Sequence, residues 1–331
     1  MADQSLRNSS RVFFFTILTF LLFACTKEGK LPSAMKFSES DSVRIWIEQS
    51  KGKNIDAPSK SNILNKAYSK ASTISNDSLK CKYYTEISFR LMRLEDSLLF
   101  RKVNKAGLKL SKELKDSVCL ANLHWDVGDF LKKNAVKDSA YYHYSEAEKI
   151  FTNLNDDFSS GNVLYLMAHI QNNIGDYTGS EITTIRAIEK LKPLNKYRQL
   201  SNCYDNLGDV SKLLNDYDRA LDYYDEALIY LRKANFGMLR EQSHKNNIGL
   251  VYQKMGQHEK AASYFSEVLS FDSLRYKNTR LYAKALSNLG YSNLKSNKTD
   301  LLPDIFKQAF NIQDSINDMG GKVSSTLRVG E

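Results

Sequence analysis

Residues 206–227 read NLGDVSKLLNDYDRALDYYDEA and contain the pattern from which the architecture is predicted. Gly208 stands in the first half, and Asn215 follows it by seven residues. Asn is a residue type that takes the left-handed conformation and ends a helix. The second half carries Ala220, Tyr224 and Ala227, whose spacings of four and three place them on one helical face. The stretch therefore predicts a helix, a turn and a second helix.

The same pattern recurs along the chain every 40 or 41 residues. Its anchors are Gly128, Ala168, Gly208, Gly249 and Gly290, and Gly175, Asn215, Gly256 and Asn297 follow the last four by seven residues each. The triplets on the second helices are Ala140, Tyr144, Ala147; Ser180, Thr184, Ala187; Ala220, Tyr224, Ala227; Ala261, Phe265, Val268; and Leu302, Phe306, Ala309. Small residues let paired helices approach closely, and an aromatic ring fills the space between neighbours. A single globular core requires no such period, so the sequence predicts a repeat array.

These units resemble the tetratricopeptide repeat, whose first helix carries a Leu-Gly pair and whose second carries Ala, an aromatic residue and Ala. Leu207-Gly208, Ile248-Gly249 and Leu289-Gly290 fit that pair. The usual unit has about 34 residues, so a unit of 40 to 41 is similar to the lengthened variant of kinesin light chains and peptide-sensing bacterial regulators. The resemblance implies an all-α fold, a right-handed superhelical solenoid of antiparallel helix pairs.

The array is predicted to occupy residues 81–310, as about five to six units. In the first and weakest unit, Ile87-Ser88 is the anchor and Leu99, Val103 and Ala106 form the triplet, after a one-residue shift. Residues 39–80 are predicted to form N-terminal capping helices that include Val43 to Ile47 and Ile63, Leu64, Ala67 and Ala71. Residues 311–331 are predicted to form a C-terminal helix or a partial unit.

The N-terminus has the layout of a signal peptide in residues 1–24. Arg7 and Arg11 precede an apolar run of about 13 residues, which is shorter than the ~20 that a membrane-crossing helix needs. Leu22-Phe23-Ala24-Cys25 resembles the bacterial lipobox, although Phe23 is bulkier than the usual residue. The resemblance implies acylation of Cys25 and a location in the bacterial cell envelope, on a periplasmic or outer-membrane face. Residues 25–38 contain Gly29, Pro32 and several Ser and Lys without periodicity, so they are predicted to form a flexible tether.

Composition points to a helical protein without chemistry of its own. The chain has only 4 Pro and 15 Gly, which favours helices. Its net charge is +9, but the sequence contains no run of five or six like charges, so nucleic acid is not an expected partner. Cys81, Cys119 and Cys203 are predicted to be small, separate core residues. Neither a phosphate loop, a nucleophile elbow nor a His or Cys spacing typical of metal sites occurs, so we expect no enzyme, no metal and no cofactor.

The first-helix residues opposite the packing positions are the candidate binding surface. Positions −6, −2, +1 and +5 from each anchor share one helix face, which in tetratricopeptide proteins lines the concave groove. The predicted peptide-binding residues are Asn206, Asn247, Asn288, Asn202, Asp209, Lys254, Tyr291 and Lys295. An Asn side chain can pair with the N–H and C=O of an extended peptide, or it can form a bridge between helices. The sequence leaves both interpretations open.

Three functions fit these observations. The first is a membrane-anchored scaffold that binds a protein or a peptide in the groove of the solenoid. The second is the sensory region of a longer signalling regulator with a histidine kinase or DNA-binding output. The third is a carbohydrate-uptake lipoprotein, which is disfavoured because only Trp46 and Trp125 are available for stacking on sugars.

Overall fold

The structure is a computed structural model that describes residues 39–94, 96–235, 237–271, 273–298, 302–318 and 320–321. The helices, in chain order, are α1 Glu39–Gln49, α2 Ala57–Ala71, α3 Asp77–Leu94, α4 Ser97–Leu114, α5 Ser117–Lys133, α6 Lys137–Asn153, α7 Asp157–Ile174, α8 Tyr177–Leu191, α9 Tyr197–Leu213, α10 Tyr217–Lys233, α11 Met238–Lys254, α12 His258–Leu269, α13 Leu274–Lys277, α14 Thr279–Lys295 and α15 Leu302–Ser315. No strand occurs in the described ranges, and the predicted all-α class is confirmed. The predicted signal peptide, Cys25 and the tether lie outside these ranges.

The helices form consecutive antiparallel pairs, each consisting of a first and a second helix. The pairs are α3–α4, α5–α6, α7–α8, α9–α10, α11–α12 and α14–α15, and each second helix also packs on the first helix of the next pair. First helices of neighbouring units contact each other as well, for example α7 with α9 and α9 with α11. The first helices therefore lie side by side. No helix in the described part of the chain is long and apolar enough to cross a membrane.

Left-handed residues end the helices at a period of 20 residues. Gly175, Asn215, Gly256 and Asn297 have φ of 87°, 62°, 74° and 56°, as the sequence predicts. The turns between units use the same device, with positive φ at Lys115, Asn155, Asn195 and Asn235. The following residue often caps the next helix: Asp116 and Asp176, for example, accept the backbone N–H of Cys119 and Gly179 at 3.0 and 2.9 Å. The period is interrupted after α12, where the short helix α13 replaces the turn.

Each glycine anchor lies against the aromatic ring sixteen residues after it. A Cβ on Gly128 would come within 2.5 Å of the Tyr144 ring, and a Cβ on Gly208 within 2.7 Å of the Tyr224 ring. Gly249 with Phe265 and Gly290 with Phe306 repeat this contact at 2.7 and 2.9 Å. The unit whose anchor is Ala168 carries the smaller Thr184 at the ring position. A larger anchor is thus matched by a smaller partner, as close packing requires.

The first unit follows the same register without the predicted one-residue shift. Ser88 is the anchor, and the Asn104 side chain, sixteen residues later, donates to the Ser88 hydroxyl at 2.7 Å. A hydrogen bond thus replaces the contact between a glycine and a ring. Leu99 and Val103 are nevertheless buried as predicted, whereas Ala106 is partly exposed.

The predicted segment boundaries fall inside helices. The boundary after residue 80 lies within α3, because that helix begins at Asp77, and the boundary after residue 310 lies within α15, which ends at Ser315. The capping helices are α1 and α2, with Val43, Ile47, Leu64, Ala67 and Ala71 buried against the first unit. Residues 311–315 complete the second helix of the last unit, and residues 322–331 lie outside the described ranges.

Two of the cysteines form a disulfide, so the prediction of separate core thiols is wrong for them. Cys81 on α3 and Cys119 on α5 are bonded, with a Cα–Cα distance of 6.4 Å and a sequence separation of 38 residues. Their separation is close to one repeat, which places them on facing sides of neighbouring first helices. That relation is visible in the sequence only once the period is used. Cys203 is a free, buried core thiol as predicted, and burial raises its pKa.

Candidate functional site

The candidate site is a polar surface on three neighbouring first helices, α7, α9 and α11. We call it the first-helix face and define it by its partly or fully exposed polar residues: Tyr165, His169, Asn202, Asp205, Asp209 and Asn247. The anchors Gly208 and Gly249 pack on the second helices, beside this face. None of the six residues of the face is an anchor, and the Asn247 amide approaches the Asp205 carboxylate of the preceding unit.

The predicted row of three equivalent asparagines is wrong for Asn206 and Asn288, because both are buried. The Asn206 amide donates to the hydroxyls of Ser180 and Thr184 at 3.0 and 2.9 Å, and its oxygen accepts from Asn172 at 3.2 Å. The small Thr184 at the ring position leaves the space that Asn206 fills. Asn206 therefore bridges helices.

Asn288 is a bridge of the same kind. Its amide donates to the Asn246 side chain at 3.2 Å, and its backbone oxygen accepts from Gln253 at 2.9 Å. Both of these contacts join α14 to α11, the first helix of the preceding unit. Asn247 differs from Asn206 and Asn288 because it is partly exposed.

Asp205 belongs to this surface and His244 is buried beside it, although neither residue is among the positions selected from the sequence. The Asp205 carboxylate lies 2.7 Å from His244 Nδ1 and accepts from the Asn247 amide at 3.4 Å. Asp205 lies one residue before the predicted position −2. The residue at position −2, Asn206, is buried in the helix interface, and its neighbour Asp205 is the one that faces solvent. A sequence signal existed in the pair Asp205-Asn206, but only the small residues of α8 decide which of the two is buried.

Ser201, His244 and Asp205 are connected in the order of a hydrolase triad. His244 Nε2 lies 3.5 Å from the Ser201 hydroxyl, and its Nδ1 lies 2.7 Å from Asp205. Ser201 is only 1% exposed and His244 only 4%. A nucleophile must reach a substrate atom, with hydrogen-bond donors beside it for the developing charge. Ser201 is buried inside the helix interface and does not meet that requirement. The contacts among Ser201, His244 and Asp205 instead join α9 to α11.

Asp209 has a structural partner, which also explains a pattern in the sequence. The Tyr224 hydroxyl donates to Asp209 at 2.6 Å, and Lys212 lies 2.5 Å from the same carboxylate. The equivalent contact in the unit of Gly128 runs from Tyr144 to Asp129 at 2.5 Å. Burial, helped by the neighbouring Asp209, raises the pKa of Tyr224. An Asp follows the anchor where the ring is Tyr, because the buried hydroxyl needs an acceptor.

The remaining predicted groove residues occupy the outer turns of the first helices. Lys254 and Lys295 are exposed near the ends of α11 and α14. Tyr291 is partly exposed, and the Lys295 ammonium lies over its ring, 5.4 Å from the ring centroid. Asn202 is partly exposed on α9. These four residues are open to solvent on at least one side, and their role in binding stays a prediction.

Two histidines that the sequence separates lie together. His124 on α5 and His143 on α6 have their Nδ1 atoms 3.0 Å apart, although they are nineteen residues apart in the sequence. Burial first and the neighbouring imidazole second lower the pKa of His124 to about 4. Burial also lowers the pKa of His143. Glu146, three residues after His143, is paired with Lys149 at 2.8 Å.

The tryptophans are partly buried and pack against other apolar side chains. Trp46 packs against the core cluster of the capping helices, and the Trp125 ring meets the Phe151 ring edge at a centroid distance of 5.9 Å. Stacking on a sugar requires an open ring face. Both contacts weaken the carbohydrate-uptake alternative.

Comparisons with known proteins agree with this geometry. Residues 200–235 and 245–273 match two sequence models of the tetratricopeptide repeat, so the chain carries repeats of this family there. Neither of these two models describes an enzyme. No curated protein is similar enough in sequence to match the chain.

Solved structures share the fold. A signal transduction ATPase with a tetratricopeptide repeat sensor from Pyrococcus horikoshii has a TM-score of 0.67 at 16% identity, covering 86% of this chain and 44% of that one. The apo quorum sensor NprR from B. thuringiensis has a TM-score of 0.61 at 13% identity, with 88% and 79% coverage. A Rap protein complexed with competence and sporulation factor has a TM-score of 0.58 at 16% identity, with 84% and 78% coverage. The chain thus spans less than half of the Pyrococcus protein. The tetratricopeptide-like solenoid is confirmed.

Proposed function

We propose that this chain is a membrane-anchored scaffold that binds a protein or peptide segment on the first-helix face. The observation that carries the proposal is the polar surface on α7, α9 and α11, where Asp205, Asn247 and His169 are exposed or partly exposed. A carboxylate that accepts from a peptide N–H and an amide that can both donate and accept suit an extended main chain. Because the solenoid is rigid, these groups lose little conformational entropy when a partner binds.

The known proteins with this fold support a binding function. The Rap protein is complexed with competence and sporulation factor, NprR is a quorum sensor, and the Pyrococcus protein uses its repeats as a sensor. Each of these names describes recognition of another molecule. We extend that function to this chain through the shared fold and the polar face.

The membrane anchor and the envelope location rest on two features. One is the sequence from Arg7 to Cys25, with its charged start, apolar run and lipobox-like end. The other is the disulfide between Cys81 and Cys119, because disulfides persist in oxidising compartments such as the bacterial periplasm and are rare in the cytosol. The two features are independent of each other, and both favour export.

The two asparagines with different surroundings provide the test of the binding face. A partner captured by cross-linking from envelope extract is identified and titrated against Asn247→Ala and Asn206→Ala. We expect Asn247→Ala to weaken binding by about 0.5–1.5 kcal/mol with little change in melting temperature. Asn206→Ala is the matched control, because it removes the same amide from a buried bridge and should lower the melting temperature. If neither Asn247→Ala nor Asp205→Ala changes the affinity, the partner binds elsewhere.

A second candidate is the sensory region of a longer regulator. The observation in its favour is that the chain matches 44% of a signalling protein in which such repeats are the sensor. Reading the genomic sequence downstream of Glu331 distinguishes the candidates. An in-frame apolar stretch of about 20 residues followed by a kinase or DNA-binding sequence favours the regulator.

A further inference from the structure

A cavity of about 620 Å³ opens between the second helices α4 and α6 and the first helix α5. It shares no residue with the first-helix face. Its floor is apolar and contains Phe100, Val127, Phe130 and Leu131. The rings of Phe100 and Phe130 stack at a centroid distance of 4.4 Å. This volume lies within the usual range of about 300–1,000 Å³ for ligand sites.

The rim of this cavity is strongly basic. Arg101, Lys105, Lys109 and Lys112 line it from one face of α4, because their spacings of four, four and three residues place them in one row. Lys109 has a distant pairing with Glu113 at 3.8 Å. Among the described residues, no carboxylate lies within 4.0 Å of the charged groups of the other three. Four positive charges therefore lie in one row along this cavity.

Asn104 adds an unmet hydrogen-bond acceptor. The residue is 2% exposed and lines the cavity, and its amide nitrogen donates to Ser88. Its side-chain oxygen is buried and has no hydrogen-bond partner. Buried acceptors in native proteins nearly always have a donor. A ligand of this cavity would supply one with an N–H or O–H group.

We propose that this cavity binds an acidic peptide segment of a partner protein, with an apolar side chain inserted on the floor. The apolar side chain covers Val127 and Leu131, the partly exposed apolar residues of the floor, the carboxylates on either side pair with Arg101 and Lys105, and a backbone N–H donates to the Asn104 oxygen. A peptide satisfies all three features. The phosphate and acyl chain of a lipid satisfy the first two but bring no donor to the buried oxygen, which favours the peptide.

The test uses fluorescent peptides and the folded chain with its disulfide intact. The probes are N-acetylated, C-terminally amidated peptides Glu-Asp-X-Asp-Glu in which X is Phe, Leu, Ile or Trp. Three matched probes each remove one feature. In the first X is Ser, in the second Gln and Asn replace all the acids, and in the third the nitrogen of the central residue is methylated and has no N–H.

We expect at least one apolar peptide to bind, and each matched probe to bind about tenfold more weakly. Arg101→Glu with Lys105→Glu should abolish binding, whereas Lys102→Glu with Lys115→Glu, which makes the same charge change outside the cavity, should retain it. All of these substitutions are at exposed positions, and unchanged melting curves confirm that the variants fold. Raising the salt concentration should weaken binding because the rim is open to solvent.

Three results would overturn the proposal. The first is that no apolar peptide binds with a Kd below about 1 mM. The second is equal binding of the Ser peptide or the N-methylated peptide, which would mean non-specific charge attraction. The third is sedimentation with phosphatidylglycerol vesicles that Arg101→Glu with Lys105→Glu abolishes, without peptide binding, which would make the row a membrane contact. Because the first-helix face is not altered, none of these results bears on the proposed function.

Discussion

At the scale of single residues, the anchor and the residue sixteen positions later act as one packing pair. Gly208 lies under the Tyr224 ring, so that a Cβ would be 2.7 Å from two ring carbons. Ala168 already has a Cβ and faces Thr184, and Ser88 faces Asn104 with a hydrogen bond. A glycine–ring pair, an alanine–threonine pair and a serine–asparagine hydrogen bond thus each allow the two helices to approach closely. The pair, and not the glycine alone, is the conserved geometry within this chain.

We predict that Gly208→Ala destabilises the protein by about 1–3 kcal/mol, because the added methyl group overpacks the contact with Tyr224. In a Tyr224→Leu background the same substitution should cost less, since the ring is gone. Urea denaturation of the four proteins in this cycle measures the coupling. An equal cost of Gly208→Ala in both backgrounds would contradict the pairing.

A second residue-scale prediction concerns Asp126, which is only 6% exposed and whose second carboxylate oxygen has no partner. Burial raises the pKa of Asp126 well above its usual value, despite a hydrogen bond from Ser88. The folded state therefore binds more protons than the unfolded state above pH 3.8, and stability falls as the pH rises through the folded pKa. Asp126→Asn should stabilise the protein at pH 7 by about 1–3 kcal/mol.

The measurement is thermal or urea unfolding of both proteins at pH 7 and near pH 4. The advantage of Asp126→Asn should shrink at the lower pH, where the carboxyl of the parent protein is protonated. An advantage that does not depend on pH would show that charge burial is not its cause.

The sequence predicts some residues of the candidate site and misses others for a physical reason. Anchors, turns and ring positions follow from the period, because each performs the same packing task in every unit. Whether Asn206 or its neighbour Asp205 faces solvent depends on Ser180 and Thr184, two small residues on another helix. These are tertiary contacts, and the periodicity of residues along one helix does not predict them. Asn206 and Asn288 are buried by contacts of this kind, whereas Asn247 is partly exposed and its role in binding stays a prediction.

At the scale of helices, the array is a series of nearly equal pairs joined by two kinds of support. Left-handed residues every 20 positions turn the chain, and hydrogen bonds such as Asn172 to Asn206 and Asn288 to Asn246 join first helices of successive units. The Cys81–Cys119 disulfide joins α3 and α5 covalently at the N-terminal end of the array. In a solenoid each unit contacts only its neighbours, so a local link acts mainly on the units that it joins.

We predict that Cys81→Ser with Cys119→Ser lowers stability by up to about 4 kcal/mol, because the cross-link removes conformational entropy from an unfolded loop of this length. Unfolding with and without dithiothreitol provides the measurement. The reductant should lower the melting temperature of the parent protein and leave that of the double variant unchanged. A parent protein that is insensitive to the reductant while its thiols become alkylated would contradict the prediction.

At the scale of the whole molecule, two surfaces with different chemistry lie on one rigid array. The first-helix face of α7, α9 and α11 is polar and carries Asp205, whereas the cavity beside α4 is apolar with a basic rim. A partner that engages both would need an extended or flexible segment, because the face lies on α7, α9 and α11 whereas the cavity lies between α4, α5 and α6. An anchor at the start of the chain would hold both surfaces close to a membrane. Lipidation is thus the step on which the proposed location depends.

We predict that Cys25 carries acyl chains and becomes the mature N-terminus. Cells that express the protein and receive labelled palmitate should incorporate the label, and mass spectrometry should find no peptide from residues 1–24. Cys25→Ser should abolish labelling and release the protein from membranes, because stable attachment requires at least two acyl chains and no helix in the described ranges can cross a bilayer. Cys203→Ser is the matched control, since it removes a buried thiol and leaves Cys25 in place. Labelling that persists in Cys25→Ser would place the modification elsewhere, and membrane retention of an unlabelled protein would point to attachment through the basic row on α4.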